Sequence, residues 1–172
     1  MLISNYIIYM KNTNVNKIKN KKNIKTRKSK NHKKGTRKNN IKQYVSKLNS
    51  NTLKMITKTF IDMLVVVKLY HWKTMFLTIH LATDELYKDI NKNIDRFMEL
   101  LIGKTNYNIN NICFNCFSIQ TKHHFIEVIN GYIQYLRNLN KVLDPHHDSE
   151  LITIRDELIG DFLQLIYLVR LK

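Results

Sequence analysis

Apolar residues recur at intervals of three and four positions along four stretches of the chain, which is the pattern of helices that bury one face. The first stretch covers about 51–73 and follows Ser and Asn residues that suit a helix N-cap. The second covers about 77–102, and Gly103 behind it predicts the end of that helix. The apolar stripe of the first helix consists of Leu53, Ile56, Phe60, Met63, Val67 and Tyr70.

Two more helices follow a long Asn-rich stretch from Lys104 to Thr121. The third helix ends before Asp144-Pro145, because proline cannot continue a helix. The fourth opens at Asp148-Ser149 and runs to the end of the sequence. Their apolar stripes consist of Phe125, Val128, Ile129, Tyr132, Leu136, Leu139 and Leu143 in the third helix, and Leu151, Ile154, Leu158, Phe162, Leu165 and Val169 in the fourth.

Four helices without a convincing strand predict an all-α four-helix bundle over residues 49–172. Short links join antiparallel neighbours, whereas the long link between the second and third helices permits an up-down-down-up order. We expect Tyr107, Phe114 and Phe117 to anchor that link to the core. A chain of 172 residues, 44% of them hydrophobic, is long enough for this one domain and a tail.

The positive charge of the protein is concentrated in the tail. Residues 1–61 contain 17 Lys and Arg and no acidic residue, whereas the remainder contains 12 basic and 13 acidic residues. Nearly all of the net charge of +16 therefore belongs to an N-terminal arm, residues 1–48, which holds 15 of these basic residues. We expect this Lys- and Asn-rich arm to be disordered, because it has too little apolar surface to offset the entropy lost on folding.

Spaced positive charges without acidic residues suit a polyphosphate, because each neutralised phosphate releases condensed counterions. We expect the arm to bind DNA, or RNA, without reading its sequence, since the basic run has no recognition helix and no stacking aromatic residue. A solvated tail and a localisation signal are the alternatives. The residues predicted to contact nucleic acid are Lys19, Lys21, Lys22, Lys25, Arg27, Lys28, Lys30, Lys33, Lys34, Arg37 and Lys38.

Two cysteines, Cys113 and Cys116, do not suit a disulfide-stapled secreted protein and favour a reducing, intracellular compartment. The apolar residues 1–10 are too few to span a membrane, and no cleavage site follows them. A mitochondrial presequence is the alternative reading of this start. Cys113, Cys116 and the pair His123-His124 have only partial zinc-site spacing, so we expect two reduced, half-buried thiols.

One face of the second helix concentrates groups that bind metals. Imidazole and carboxylate together suit iron or another first-row transition metal. His80 and Asp95 on this face cannot bind the same ion within one chain, because the 15 residues between them span about 22 Å. Two helices packed antiparallel about a two-fold axis would bring the ends together, so the pattern predicts a homodimer with shared sites. The residues on this face are His80, Asp84, Asp95 and Glu99.

The segment from His71 to Gly103 resembles the Dps family, the ferritin-like proteins that bind DNA and oxidise ferrous iron. The fourth helix, with TIRDELIGDFLQLIYLV, also looks like the last helix of that family. The link from His71 to His80 is shorter than in bacterial members, and in this respect the chain is closest to the Dps-like proteins of phages and large DNA viruses. The shared pattern consists of His71-Trp72, an aromatic residue at Phe76, H-x3-D at His80 and Asp84, D-x3-E at Asp95 and Glu99, and Gly103.

This resemblance implies a ferritin-like bundle that assembles into a hollow dodecamer and binds iron. Trp72 would lie beside the metal site as an electron donor, whereas Glu85 matches no ligand position of the family. The implied ligands come from two subunits: His71, His80 and Asp84 from one, and Asp95 and Glu99 from its two-fold mate.

The sequence thus predicts a Dps-like ferritin that oxidises Fe(II) with peroxide or oxygen at an inter-subunit di-iron site and condenses DNA through its arm. Its predicted place is inside the cell and on DNA, in a nucleoid, a viral factory or a virion core. The alternative is a non-enzymatic architectural protein that binds nucleic acid and keeps the bundle only as a scaffold for oligomers. Acidic residues three or four positions apart are also common on solvated helix faces.

Overall fold

A computed structural model of the protein describes residues 48–114, 118, 119 and 121–171. Over these residues the secondary structure is entirely helical. The predicted nucleic-acid contacts of the arm, as well as Cys116 and Phe117, lie outside the described residues. The elements are α1 (Ser50–Lys73), α2 (Leu77–Thr105), α3 (Lys122–Asn138), a 3-10 turn (Leu139–Lys141) and α4 (Ser149–Arg170).

The helix ends follow from local hydrogen bonding. Asn49 caps α1, and its side chain accepts a hydrogen bond of 3.0 Å from the backbone N–H of Thr52. The prediction that Gly103 ends α2 is wrong, because the helix continues to Thr105. Asn106 ends it instead, with a left-handed φ of 52° and an N–H that donates to the Ile102 carbonyl. Asparagine tolerates this conformation better than most residues, and Gly103 remains helical.

The predicted apolar stripes form the core of the bundle. Every predicted stripe residue of α1 and α4 is buried, and in the third stripe Val128 alone is only half-buried. Aromatic side chains connect the helices across this core. The ring contacts are Phe60 with Phe97 (4.9 Å between centroids), Tyr70 with Phe125 (3.8 Å) and Tyr132 with Phe162 (6.2 Å).

The four helices pack in a ring in which α1 contacts α2, α2 contacts α4, α4 contacts α3 and α3 contacts α1. Helices α2 and α4 are antiparallel, because Asn93 donates to Asp161 at 3.1 Å while Lys104, near the end of α2, pairs with Glu150 at the start of α4. The stacked rings of Tyr70 and Phe125 place the end of α1 beside the start of α3. Helices α2 and α3 therefore run in the same direction, and the order is up, down, down, up.

Among its described residues, the connection between α2 and α3 contacts the bundle at Tyr107 and at Ile119. Tyr107 is half-buried against the core, and Ile119 is buried. The Ile119 carbonyl also accepts a 2.6 Å hydrogen bond from Lys73 Nζ. Phe114 is 53% exposed, so the prediction that it anchors the connection is wrong. Cys113 is also exposed, which corrects the prediction of a half-buried thiol there. From 108 to 114 only Ile112 is even half-buried, so the backbone does not bring these two side chains to the core.

A buried carboxylate ties the end of α2 to the start of α4. Asp148 is fully buried; its side chain accepts from Lys104 Nζ at 3.0 Å and from the Asp144 N–H at 2.8 Å. Lys104 also pairs with Glu150 and donates to the His147 carbonyl. Burial lowers the pKa of Lys104, but hydrogen bonds to Glu150 and Asp148 outweigh it and raise that pKa above the usual range. This network fixes the end of the bundle opposite the α1–α2 turn.

Replacing Asp148 should destabilise the protein more than replacing an exposed acid. We expect Asp148→Ala to lower the free energy of unfolding by about 2 kcal/mol, since it leaves the Asp144 N–H without its acceptor and Lys104 with one carboxylate fewer. Urea denaturation followed by circular dichroism measures this value. Glu127→Ala is the matched control, because Glu127 is exposed and pairs only with the exposed His123. Equal midpoints for the two variants would show that the Asp148 network contributes no more than a surface pair.

Candidate metal centre

A turn of three residues, 74–76, brings the last turn of α1 against the first turn of α2. The Thr74 N–H donates to the Tyr70 carbonyl at 2.9 Å, which closes α1. The His80 N–H donates to the Phe76 carbonyl at 2.9 Å, which opens α2. The short turn leaves the two helices antiparallel and in contact, with His71 and His80 facing each other across the junction.

The two imidazoles are stacked and hydrogen-bonded reciprocally. Their ring centroids are 3.9 Å apart with 26° between the planes. His71 Nδ1 lies 3.1 Å from the His80 carbonyl oxygen, and His80 Nδ1 lies 3.1 Å from the His71 carbonyl oxygen. A carbonyl oxygen can only accept, so each Nδ1 carries the hydrogen. In the neutral rings both Nε2 atoms therefore keep a lone pair, which is the state of a histidine that binds a metal.

Thr83 supports this arrangement from the core side of α2. It is fully buried, and its Oγ1 donates to the Ile79 carbonyl at 2.8 Å. The same oxygen lies 3.2 Å from His71 Nδ1. Thr83 thus helps to orient the buried His71 ring. The sequence analysis missed this residue, although a threonine within an apolar stripe, three positions after a histidine, is a signal that could have identified it.

Asp84 lies one helical turn beyond His80 and is half-buried. Its Oδ2 accepts from Lys88 Nζ at 2.9 Å, and its Oδ1 lies 4.0 Å from Lys68 Nζ. The hydrogen bond from Lys88 lowers the pKa of Asp84 below its usual value, helped by the charges of Lys88 and Lys68. The carboxylate is therefore ionised at neutral pH and able to act as a ligand.

Aromatic residues flank the site on its outer side. Trp72 is 69% exposed, next in sequence to His71. Lys68 Nζ lies 5.8 Å from the centre of the Trp72 ring and 4.8 Å from the centre of the Tyr87 ring. Both distances fall within the range of cation–π attraction. Lys68 and Tyr87 are two residues of this site that the sequence analysis did not identify.

Asp95 and Glu99 lie far from the histidine pair within one chain. Both are exposed on the uninterrupted helix α2, with Asp95 about 22 Å along the axis from His80. Over the residues that the structure describes, no three His, Cys, Asp or Glu side chains lie close enough to hold a metal ion. The structure thus brings His71 and His80 together with Asp84 one turn away, and the two remaining predicted ligands lie apart from them in the same chain.

A second group of carboxylates lines a small cavity of about 60 Å³ between α2 and α4. Glu85, Asp89 and Asp161 contribute to its wall. Burial raises the pKa of Asp161, and the nearby charges of Asp89 and Glu157 add to this effect. Glu85, which lies outside the predicted ligand set, thus lines this cavity.

The described part of the chain is thus a four-helix bundle with a paired-histidine site at one end. Residues 71–169 match the model of DUF5856, a family of unknown function, and the chain belongs to this family. The matched region begins at His71 and contains all five predicted ligands and Trp72, whereas the basic arm precedes it. No curated protein and no solved structure matches the chain significantly. Within the described residues, none of the helices combines the length and the apolar character needed to cross a membrane.

The hydrogen bonds of the pair predict the tautomer of each ring. We expect His71 and His80 to carry hydrogen on Nδ1 and none on Nε2 when neutral, because each Nδ1 faces a carbonyl oxygen. Long-range ¹H–¹⁵N NMR spectra of histidine-labelled protein distinguish the two tautomers. The exposed His146 is an internal control and should show the mixture typical of solvated imidazole. Nε2–H signals for either His71 or His80 would contradict the reciprocal arrangement.

Proposed function

We propose that the protein is a Dps-like ferritin, which binds and oxidises Fe(II) at sites shared between two subunits and binds DNA through its N-terminal arm. The observation that carries this proposal is the His71–His80 pair. Both Nδ1 atoms face backbone carbonyls, so each neutral ring keeps a lone pair on Nε2, and both rings lie at the same end of the bundle. Asp84, which pairs with Lys88, adds a carboxylate one turn from His80.

The directions of the helices support a ferritin-like arrangement. An up-down-down-up bundle needs a long link between its second and third helices, which is the topology of ferritin-like folds. Here α2 ends at Thr105 and α3 begins at Lys122. The shared direction of α2 and α3 fits the same topology, and the donor set of imidazole and carboxylate fits iron.

An exposed apolar stripe supports pairing with a second copy of the chain. Ile61, Val65, Leu69 and Trp72 follow one another at helical spacing on the outer side of α1. This stripe adjoins the ligand face of α2, because Lys68 reaches from α1 to Asp84. A two-fold axis beside α2 would cover the stripe and bring Asp95 and Glu99 of the second subunit toward His80. The hollow dodecamer remains what the Dps resemblance implies.

The proposed reaction uses iron as a substrate. Two Fe(II) ions each give up one electron, and the two electrons with two protons cleave the O–O bond of hydrogen peroxide to give two molecules of water. Imidazole nitrogen and carboxylate oxygen favour the ferric product, since both are hard or borderline ligands. The exposed Trp72 would supply an electron when only one iron is present, as the resemblance implies.

DNA binding is proposed for the arm from its charge. Its Lys and Arg residues, without acidic neighbours, give sequence-independent and salt-sensitive affinity for phosphate. Iron oxidation beside DNA would remove Fe(II) and peroxide together and thus limit hydroxyl radicals. The second candidate function, an architectural nucleic-acid-binding oligomer without iron oxidation, is favoured by the same arm and by the exposed stripe of α1.

Iron oxidation should depend on ligands from both ends of α2. We expect His80→Ala and Glu99→Ala each to lower the initial rate of ferric absorbance, measured anaerobically after addition of peroxide, by about tenfold or more. Glu85→Ala is the matched control, since this exposed acid of the same helix lines the α2–α4 cavity. Circular dichroism checks that each variant is folded. Equal rates for wild type and all three variants would leave the architectural function as the better explanation.

DNA binding should reside in the arm. We expect deletion of residues 1–43 to abolish the electrophoretic shift of duplex DNA at low salt, because it removes the excess positive charge. The full-length His80→Ala variant is the control and should bind DNA like the wild type. Undiminished binding by the truncated protein would show that the bundle, rather than the arm, carries the DNA site.

A further inference from the structure

Lys68 occupies an unusual position beside the candidate metal site. It lies on α1, one turn before Trp72, yet its ammonium group reaches across to α2 and lies 4.0 Å from Asp84 Oδ1. The rings of Tyr87 and Trp72, at 4.8 and 5.8 Å, both attract the same charge. Only 30% of the side chain is exposed. Lys68 is therefore held next to a predicted ligand by three separate groups.

A second lysine at Asp84 provides a natural comparison. Lys88 is closer, at 2.9 Å from Asp84 Oδ2, but it is 72% exposed and belongs to the same helix one turn on. Exposed pairs of this kind contribute little and exchange readily with water. An incoming cation can displace Lys88 into solvent, whereas Lys68 is retained by the aromatic rings. The two lysines should therefore affect metal binding differently, although both contact the same carboxylate.

We infer that Lys68 is a tethered counter-cation that competes with divalent metal for Asp84 and so sets the affinity of the site. This inference rests on the metal site proposed above. Without metal, the ammonium group of Lys68 adds to the charge of Lys88 in neutralising Asp84. A divalent ion that binds Asp84 breaks the ion pair between Asp84 and Lys68. The ion is also repelled by the ammonium charge, which the two aromatic rings keep nearby. Metal binding is then an exchange of one cation for another, which keeps the affinity moderate.

Such an exchange has a functional consequence for iron as a substrate. A site that oxidises iron repeatedly must release its product, and very tight binding would keep the first ion in place. The resident charge of Lys68 opposes tight binding without removing a ligand. Lys68 would therefore be a determinant of affinity, acting through Asp84, rather than a metal ligand.

The test is the affinity of the full-length protein for Co(II), measured by isothermal titration calorimetry and by the visible absorption of the bound ion. Lys68→Met keeps an unbranched apolar side chain against the rings and removes the charge. We expect the Kd for Co(II) to fall by about tenfold or more in this variant, from the Coulomb energy of a divalent ion beside a fixed unit charge. Lys68→Arg keeps the charge and should bind Co(II) like the wild type.

Two further variants distinguish Lys68 from a general effect of charge. Lys88→Met should change the Kd by less than about threefold, because the exposed Lys88 is already easily displaced. Lys92→Met, at an exposed position further along α2, should leave the Kd unchanged. Thermal unfolding of each variant checks that the bundle is intact.

The outcomes separate the inference from the proposed function. Binding of Co(II) by the wild type, with an unchanged Kd in Lys68→Met, would overturn the role of Lys68 and leave the metal site standing. An equal gain in affinity for Lys68→Met, Lys88→Met and Lys92→Met would also overturn it, since any removed charge would then suffice. Absence of binding in the wild type and in every variant would remove the metal site itself, and the inference with it.

Discussion

The reciprocal hydrogen bonds between His71 and His80 are the constraint on which the outer face of the protein depends. Two ring N–H groups donate to two backbone carbonyls across a turn of only three residues, so the register of α1 against α2 has little freedom. That register decides which side chains meet between the helices. It brings Lys68 to Asp84 and leaves Trp72 on the surface beside them. A slip by one residue would separate all of these groups at once.

Periodicity was sufficient to predict the helices and most of the core, because burial of one face is what stabilises each helix. The apolar stripes through Phe60 and Phe162 are buried as the sequence predicts. The end of α2 was not predictable in the same way. Glycine and asparagine can both end a helix, and Asn106 rather than Gly103 takes the left-handed conformation. Phe114 stayed exposed for a related reason, since an aromatic residue is buried only where the backbone reaches the core.

In the candidate site, too, features within one helix were predictable from the sequence and contacts between helices were not. The shared face of His80, Asp84, Asp95 and Glu99 follows from helical geometry alone, so the sequence could predict it. The contacts of His71 with Thr83, and of Lys68 with Tyr87, are between α1 and α2. The distance between two helices cannot be predicted from the residue pattern of either helix. The distance between α1 and α2 depends on the turn and on the packing beneath it. The arrangement of a second subunit depends on contacts between two chains, which helical periodicity does not predict. The shared site therefore remains a proposal.

The long connection between α2 and α3 also has consequences for how the chain folds. Within the described residues the helices form two hairpins, α1–α2 and α3–α4, and each hairpin has a link shorter than residues 106–121, so its contacts are local in sequence. Every contact between the hairpins, including Asn93 with Asp161, must close a loop through residues 106–121. Local hairpins form quickly, whereas docking across a long loop is slower, so docking should limit the rate of folding. Because loop-closure entropy rises only slowly with length, lengthening this connection should cost the bundle little stability.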